Sequence, residues 1–420
     1  MRKRLGIYIH IPFCASKCGY CDFYSLSGCD HLMPEYQEAL IAHIDESSAS
    51  IKNYEVDSIY FGGGTPSFYG ADRIVEILDT LKLNGNVRLD SEVTVECNPD
   101  NTSLTALKLL RQEGVNRISL GVQATNNDLL KLIGRRHNFQ QAQRAFQDAR
   151  KAGFENISLD LIYGLPSQTR NDWAETLARI VEMHPEHISC YGLKLEPGTE
   201  MYRNYRHSPI LPDEDEQADM YSYAAEMLER YGYKHYEVSN FCAEGFESRH
   251  NLKYWDLEDY MGFGPGSHSS VGTLRYSYVK DLKQYISGVK RKVSIIDEYD
   301  RIDTFERAVE YIMLGMRTSR GISEHDYRVR CQSNWKPIHQ VLRAFAEKGW
   351  AEQTGDRWHF TVPGFLISNT LIGIMLEAQA SGRVEWTPWL NDAFEAEKKI
   401  NLPKGETELF TELYEQTVKS

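Results

Sequence analysis

Cys14, Cys18 and Cys21 form the pattern C-x3-C-x2-C directly after an alternating apolar run, LGIYIHI, at 5–11. Three thiolates on one loop can hold three irons of a [4Fe–4S] cube, a cluster that usually takes four cysteines, leaving one iron open to another ligand. A structural zinc site is the rival, because zinc takes four protein ligands and His10, Cys29 or His31 could supply the fourth. Three inert thiols are the plainest reading, weakened by Lys17 and Asp22, which make the loop polar. The other cysteines, at 29, 97, 190, 242 and 331, are scattered, unlike the dense framework of a secreted disulfide protein. Cys97, Cys190 and Cys242 lie near apolar runs and read as core thiols.

Other chemistry-bearing residues occupy comparable places. Gly62-Gly63-Gly64-Thr65-Pro66 follows an apolar run at 56–61, and Glu96 with Asn98-Pro99 ends one at 92–97. Gln123 ends RISLGVQ. Asp160 lies within ISLDLIY, with Tyr163-Gly164-Leu165-Pro166 beyond it, and Glu196-Pro197-Gly198-Thr199 follows 187–193. Each has a structural reading of its own: a tight glycine turn, a surface carboxylate, a helix cap. Their shared position at the ends of strands is harder to dismiss.

Candidate strands at 5–11, 56–61, 92–97, 116–121, 157–163 and 187–193 alternate with stretches of helical periodicity at 34–50, 71–83, 103–113, 138–152 and 171–183. Such repeats imply a parallel sheet with right-handed crossovers. Loops at the carboxyl ends of its strands would then converge on one functional face. Six units fall short of a complete barrel, so the expected fold is α/β, a partial (β/α)6 TIM-type barrel. A capped, acid-started helix is expected at 213–231, then strands and loops over 232–280. Further on, a helix ending near Gly321, a helix at 335–348, a hairpin through GWAEQTGDRWHFTVPG and another helix predict a winged-helix-like domain.

The formal net charge of −13 argues against nucleic-acid binding, by this domain or any other. No run of apolar residues is long enough for a membrane span. His10, Pro12 and Lys17 interrupt the resemblance of the amino terminus to a signal peptide, which places the protein in the cytoplasm.

Taken in order, HIPFCASKCGYC, GGGTP, ECNP, RISLGVQ and DLIYGLP resemble the radical S-adenosylmethionine (SAM) superfamily. More narrowly, they are similar to the branch of oxygen-independent coproporphyrinogen III oxidase-like proteins that includes the HemW haem chaperones. The resemblance covers about residues 5–380. It implies a [4Fe–4S] cluster on Cys14, Cys18 and Cys21, with SAM chelating the open iron through its amino and carboxylate groups. It also implies that Tyr8 lies near cluster and adenine, that Gly63 and Gly64 approach the methionine amino group, and that Glu96 and Gln123 contact SAM. Arg135, in LIGRRH, would meet the methionine carboxylate and Asp160 the ribose. These types suit a zwitterion, whose ammonium needs an acceptor and whose carboxylate needs a donor.

Two departures bear on function. The dehydrogenases of this branch carry a fourth cysteine two residues after the third, where this chain has Phe23, and a long leader, where this chain has thirteen residues before Cys14. Both match the chaperone side. His250, Asn251, Tyr254 and Trp255, in HNLKYW, also match the H-N-x-x-Y-W motif associated there with haem. His and Tyr are accepted haem-iron ligands, Trp offers a stacking face, and Arg249 and Lys253 could meet propionates. A plainer reading is an aromatic-rich connection around a satisfied histidine. GFGPGSHSS at 262–270 is not a nucleotide loop, and His268 stays unassigned.

The expected organisation is a radical SAM partial barrel over 1–200, its completion with the haem-motif region over 201–299, the winged-helix-like domain over 300–380 and a charged tail over 381–420. The expected function is a haem chaperone that binds haem, a [4Fe–4S] cluster and SAM and delivers haem to haem-dependent respiratory proteins. Those clients, some at the membrane, and a second copy of the chain are its expected partners. The alternative is an oxygen-independent coproporphyrinogen III dehydrogenase that converts two propionates to vinyls. Enzymatic turnover is left open, with dehydrogenase activity not expected.

Overall fold

The computed structural model describes residues 2–381; the charged tail lies outside the described residues from 382 on. Residues up to Asp303 form one compact unit and those from Thr304 another.

The first unit is built on one open twelve-stranded sheet. Its strands in chain order are β1 (Lys3–Ile11), β2 (Tyr54–Gly63), β3 (Val87–Cys97), β4 (Arg117–Gln123), β5 (Ile157–Tyr163), β6 (His187–Gly192), β7 (Lys234–Glu237), β8 (Asn240–Cys242), β9 (Tyr260–Phe263), β10 (His268–Val271), β11 (Leu274–Tyr278) and β12 (Ile296–Arg301). They lie in the order β12-β11-β10-β9-β1-β2-β3-β4-β5-β6-β8-β7. Pairing from β1 to β6 is parallel throughout. The six predicted strands are all present, and a seventh parallel strand, β9, pairs with β1 from Gly6↔Tyr260 to Ile9↔Phe263. Four residues containing a glycine carry too little periodicity to announce it.

The connecting helices are α1 (Met33–Glu46), α2 (Ala71–Asn84), α3 (Leu104–Gln112), α4 (Phe139–Lys151) and α5 (Arg170–Val181), followed by α6 (Glu214–Arg230) and α7 (Arg249–Trp255). Alternation along each strand sorts the side chains. In β1, Leu5, Ile7, Ile9 and Ile11 are fully buried. The other face of the strands is unusually polar: Tyr60, Glu96, Arg117, Ser119, Asp160 and Ser189 all line an interior cavity. α7 is the one departure from the strands and loops expected over 232–280.

Helix starts are fixed by side chains the sequence shows. Asn138 with Gln141, Thr169 with Asp172 and Asp213 with Glu216 each form a reciprocal capping box at α4, α5 and α6. α6 is tied to α5 by the fully buried Trp173, whose Nε1 donates to the Met220 carbonyl at 2.8 Å. We expect Asp213→Ala to cost about 1 kcal/mol, the usual loss for a cap. The check is a lower urea midpoint with unchanged denaturant slope.

The second unit contains helices at Thr304–Gly315, Glu324–Cys331, Lys336–Glu347, Val362–Leu366 and Ser368–Ser381. A hairpin of Ala351–Thr354 and Arg357–Phe360 is joined by Ile322–Ser323 into a three-stranded sheet. This is the helix-and-hairpin set of a winged-helix-like domain. The first helix ends at Gly315 rather than near Gly321, where Thr318 Oγ1 donates to the Gly315 carbonyl.

Candidate cofactor site

The carboxyl ends of β2 to β6 and the loop after β1 surround a cavity of about 430 Å³. Cys14, Cys18 and Cys21 all border it. Their loop is held at its middle: Gly19 N donates to the Ile133 carbonyl at 3.2 Å, and Met201 N donates to the Gly19 carbonyl at 2.8 Å. Tyr20 packs on the buried cluster of Leu129, Leu130, Ile133, Leu165 and Met201. Apolar packing behind the loop therefore presents the thiols forward.

Cys14 Sγ lies 3.3 Å from Thr65 Oγ1, and Arg135 Nη1 donates to Cys18 Sγ at 3.6 Å. Hydrogen bonds to sulfur and nearby positive charge are means by which a protein tunes an iron–sulfur cluster. Burial raises the Cys14 and Cys21 thiol pKa values, so cationic iron would have to offset that cost to hold them as thiolates. Among the described residues no three His, Cys, Asp or Glu side chains converge as the ligand set of one ion. A cube does not require that convergence, because each thiolate holds a different iron; a zinc ion does. None of His10, Cys29 and His31 lines the cavity. Both His10 nitrogens are engaged, with Tyr8 OH and with the Tyr24 carbonyl.

The triple glycine is required by its neighbours. Gly63 has φ +105°, and a Cβ there would collide with the His10 imidazole; one on Gly64 would lie 2.6 Å from the Ile11 carbonyl oxygen. The bare turn lets Gly63 N donate to Glu96 Oε2 at 3.2 Å, while Tyr60 OH donates to Oε1 at 2.8 Å. Burial nevertheless pushes the Glu96 carboxyl up to about 7, against the pull of these two donors.

Gln123 closes β4 with φ +68°, a conformation uncommon outside glycine and one that concentrates at functional sites. Gly121 leaves room for Arg135, whose Nη2 donates to the Gly121 carbonyl at 2.8 Å and whose Nη1 reaches Asn98 Oδ1 at 3.1 Å. Among the described residues the buried Arg135 Nε has no hydrogen-bond partner. Asp160 is held by three hydroxyls: Ser119 donates to Oδ2 at 2.7 Å, and Ser158 and Ser189 donate to Oδ1 at 3.0 and 2.7 Å.

The structure therefore brings Cys14, Cys18, Cys21, Gly63, Gly64, Glu96, Gln123, Arg135 and Asp160 onto one cavity wall. Acceptor, donor and orphaned guanidinium nitrogen fit a zwitterionic ligand beside a thiolate-held cluster. Tyr8 is not on that wall: its hydroxyl meets His10 Nδ1 at 3.1 Å, and its ring lies 6.3 Å from that of Tyr60. Phe23, 67% exposed, stands at the cavity beside Cys21.

The haem-motif residues are divided. α7 is seated by the Glu92 carboxylate, which accepts from Arg249 N and His250 N at 3.0 Å each, and by Arg249 Nη2, which donates to the Asp57 and Asp90 carbonyls. Asn251 faces the cavity. His250 is 1% exposed, with Nδ1 2.9 Å from Ser58 Oγ and Nε2 2.9 Å from Tyr254 OH. Burial, then the charges of Lys253 and Arg117, push its pKa down to about 3, so the imidazole is neutral, the form that binds metal. Trp255 is half-buried. Lys253 is consumed by Asp57 at 2.7 Å and Glu258 at 2.8 Å, and so is not free for a propionate. In this conformation a macrocycle cannot reach His250.

Sequence reading missed Tyr60 and Arg117. Arg117 is 2% exposed and lines the cavity, and among the described residues its Nε has no hydrogen-bond partner. The available signal was a cation opening an otherwise apolar strand, NRISLGVQ.

Residues 8–180 match the radical SAM superfamily and residues 302–367 match the HemN C-terminal domain. The heme chaperone HemW of Bacillus subtilis (strain 168) is 35% identical over 372 residues, covering 88% of this chain and 98% of that one. That of Escherichia coli (strain K12) is 31% identical over 382 residues, covering 89% and 98%. Among solved structures, the coproporphyrinogen III oxidase HemN of Escherichia coli superposes with a TM-score of 0.78 at 22% identity, over 91% of each chain, a likeness of fold. With such identity over nearly the whole length of its relatives, the chain belongs to the HemW family of the radical SAM superfamily.

Proposed function

We propose that the protein is a haem carrier that holds a [4Fe–4S] cluster and SAM in the cavity and passes haem to haem-dependent respiratory proteins. The observation that carries this reading is Phe23: an exposed aromatic ring stands beside Cys21 where the dehydrogenases of the branch have a further cysteine. The family relationship supports it, since the relatives that this chain matches over 98% of their length are heme chaperones.

In this reading Cys14, Cys18 and Cys21 hold three irons. Arg135 donates to the methionine carboxylate, Glu96 accepts from the ammonium, Gln123 and the Gly63–Gly64 backbone border the amino acid, and Asp160 accepts from the ribose. A reduced cluster with SAM bound supplies one-electron chemistry. Haem capture through His250 requires α7 to leave its seat, because both imidazole nitrogens are engaged in the closed state. Respiratory clients place the site of delivery at the membrane. Among the described residues no helix is long and apolar enough to cross it.

The test is haem titration of the cluster-reconstituted protein, beside anaerobic incubation with SAM, reductant and coproporphyrinogen III. Stoichiometric haem binding without protoporphyrinogen formation is expected. Formation of protoporphyrinogen would make the protein the alternative, a dehydrogenase, for which the cofactor-facing residues on the cavity wall are also suited.

A further inference from the structure

One face of β2 runs from the haem motif to the cofactor wall. Ser58 Oγ meets His250 Nδ1 at 2.9 Å. Two residues on, the Tyr60 ring stacks on the His250 ring, 5.3 Å between centroids and 26° between planes. The Tyr60 hydroxyl donates to Glu96 Oε1 at 2.8 Å. At Gly62 a Cβ would lie 2.9 Å from the Tyr60 ring and 3.0 Å from Glu96 Oε1, so the strand is bare where the two meet. Tyr60 itself borders the cavity. Residues i, i+2 and i+4 of a strand share a face, and this face spans about 13 Å.

We infer that Tyr60 is a positioning residue that ties the cofactor-facing carboxylate of Glu96 to the haem-motif imidazole of His250, so that haem capture weakens SAM binding and SAM binding weakens haem capture. The inference rests on the proposed function for the identity of the two ligands. Its physical basis is a shared ring. Withdrawal of His250 removes the nearer of the two rings stacked on Tyr60, the other being Tyr8 at 6.3 Å, and so loosens the hold that keeps the phenol on Glu96. Among the described residues, Glu96 is held at its other oxygen only by Gly63 N at 3.2 Å. A ligand shifts an equilibrium only through differential contacts with its two states. His250 supplies that difference, being stacked in one state and committed to iron in the other.

The Tyr60 hydroxyl also favours the ionised form of Glu96, as does Arg117 from β4; Asp160 from β5 opposes it. The phenols of Tyr8 on β1, Tyr191 on β6 and Tyr254 on α7 feel the same carboxylate. Among these groups only Tyr60 hydrogen-bonds Glu96 in the structure.

The experiment is a linkage cycle on the cluster-reconstituted full chain. SAM affinity is measured by equilibrium dialysis with and without saturating haem, and haem affinity by absorption titration with and without saturating SAM. In the wild type each ligand should weaken the other by about fivefold or more, by the same factor in both directions. Tyr60→Phe keeps the ring and removes the hydroxyl. It should bind SAM about tenfold more weakly at pH 7, recover toward wild type above pH 8 as Glu96 ionises in both, and show a linkage factor nearer one. Haem that binds the wild type with a linkage factor of one overturns the coupling and leaves the proposed function standing. A wild type that binds no haem overturns the carrier reading together with the His250 half. The Tyr60 half is then decided by the SAM profile, and a Phe variant whose pH dependence matches wild type overturns it.

Discussion

Cys14→Ser, Cys18→Ser and Cys21→Ser should each leave the reconstituted protein with almost no iron and sulfide, while Cys29→Ser keeps both. The expectation follows from placement. Three thiols border the cavity, and Cys29, though only eight residues beyond Cys21, does not. Serine is nearly isosteric but its hydroxyl is far less acidic than a thiol, so it does not supply the anionic soft ligand that iron–sulfur clusters require. The three losses should be similar in size, because each thiolate holds a different iron and two cannot retain the cube. Iron and sulfide analysis after anaerobic reconstitution reads the result. Far-ultraviolet circular dichroism checks the fold, which should be unchanged, since the loop is anchored by Gly19 backbone bonds and Tyr20 packing rather than by the thiols. A Cys29→Ser protein without cluster, or a Cys18→Ser protein with one, would overturn this ligand set.

The cysteine loop was legible in the sequence because its signal is local: type and spacing on one loop. The strand ends were legible because parallel strand–helix repeats place them on one face whatever the details of packing. The haem-motif helix was less so. HNLKYW names residue types but not their partners, and the groups that bury His250, Ser58 and Glu92, come from strands more than 150 residues earlier. Tyr8 shows the same limit. Its place before the cysteines says that it is near the cluster in sequence, and strand alternation with the pairing Tyr8↔Tyr60 puts it on the cavity face, yet its hydroxyl is turned to His10 and it does not line the cavity. Tyr60 and Arg117 carry no motif; their significance comes only from what faces them. β9 was missed for a related reason, being a short strand defined by its pairing with β1.

Glu96→Gln should stabilise the protein above pH 7 while removing most of its affinity for SAM. The Glu96 carboxyl is pushed from its ordinary 4.5 up to about 7, chiefly by burial. Between those values the folded chain keeps a proton that the unfolded chain releases. Stability therefore falls as pH rises through this window, and the penalty is complete above the folded value. A shift of this size corresponds to about 3 kcal/mol. Glu237, also raised to about 7 by burial, adds a second share of the same sign, so the substitution should reduce the pH dependence without abolishing it. Glutamine keeps the shape and can still accept from Tyr60 or Gly63, but it carries no charge to meet an ammonium. Loss of one charge-assisted hydrogen bond costs about 2 kcal/mol, roughly thirtyfold in affinity. Urea unfolding at pH 5 and pH 8 reads the first effect and equilibrium dialysis with SAM the second. The two must move in opposite directions, because the burial that makes Glu96 costly to ionise is also what strengthens its attraction for a cation in the cavity. A variant that loses SAM affinity without gaining stability at pH 8 would mean that Glu96 is already solvated in the free protein; one that gains stability but still binds SAM would mean that the ammonium has another partner.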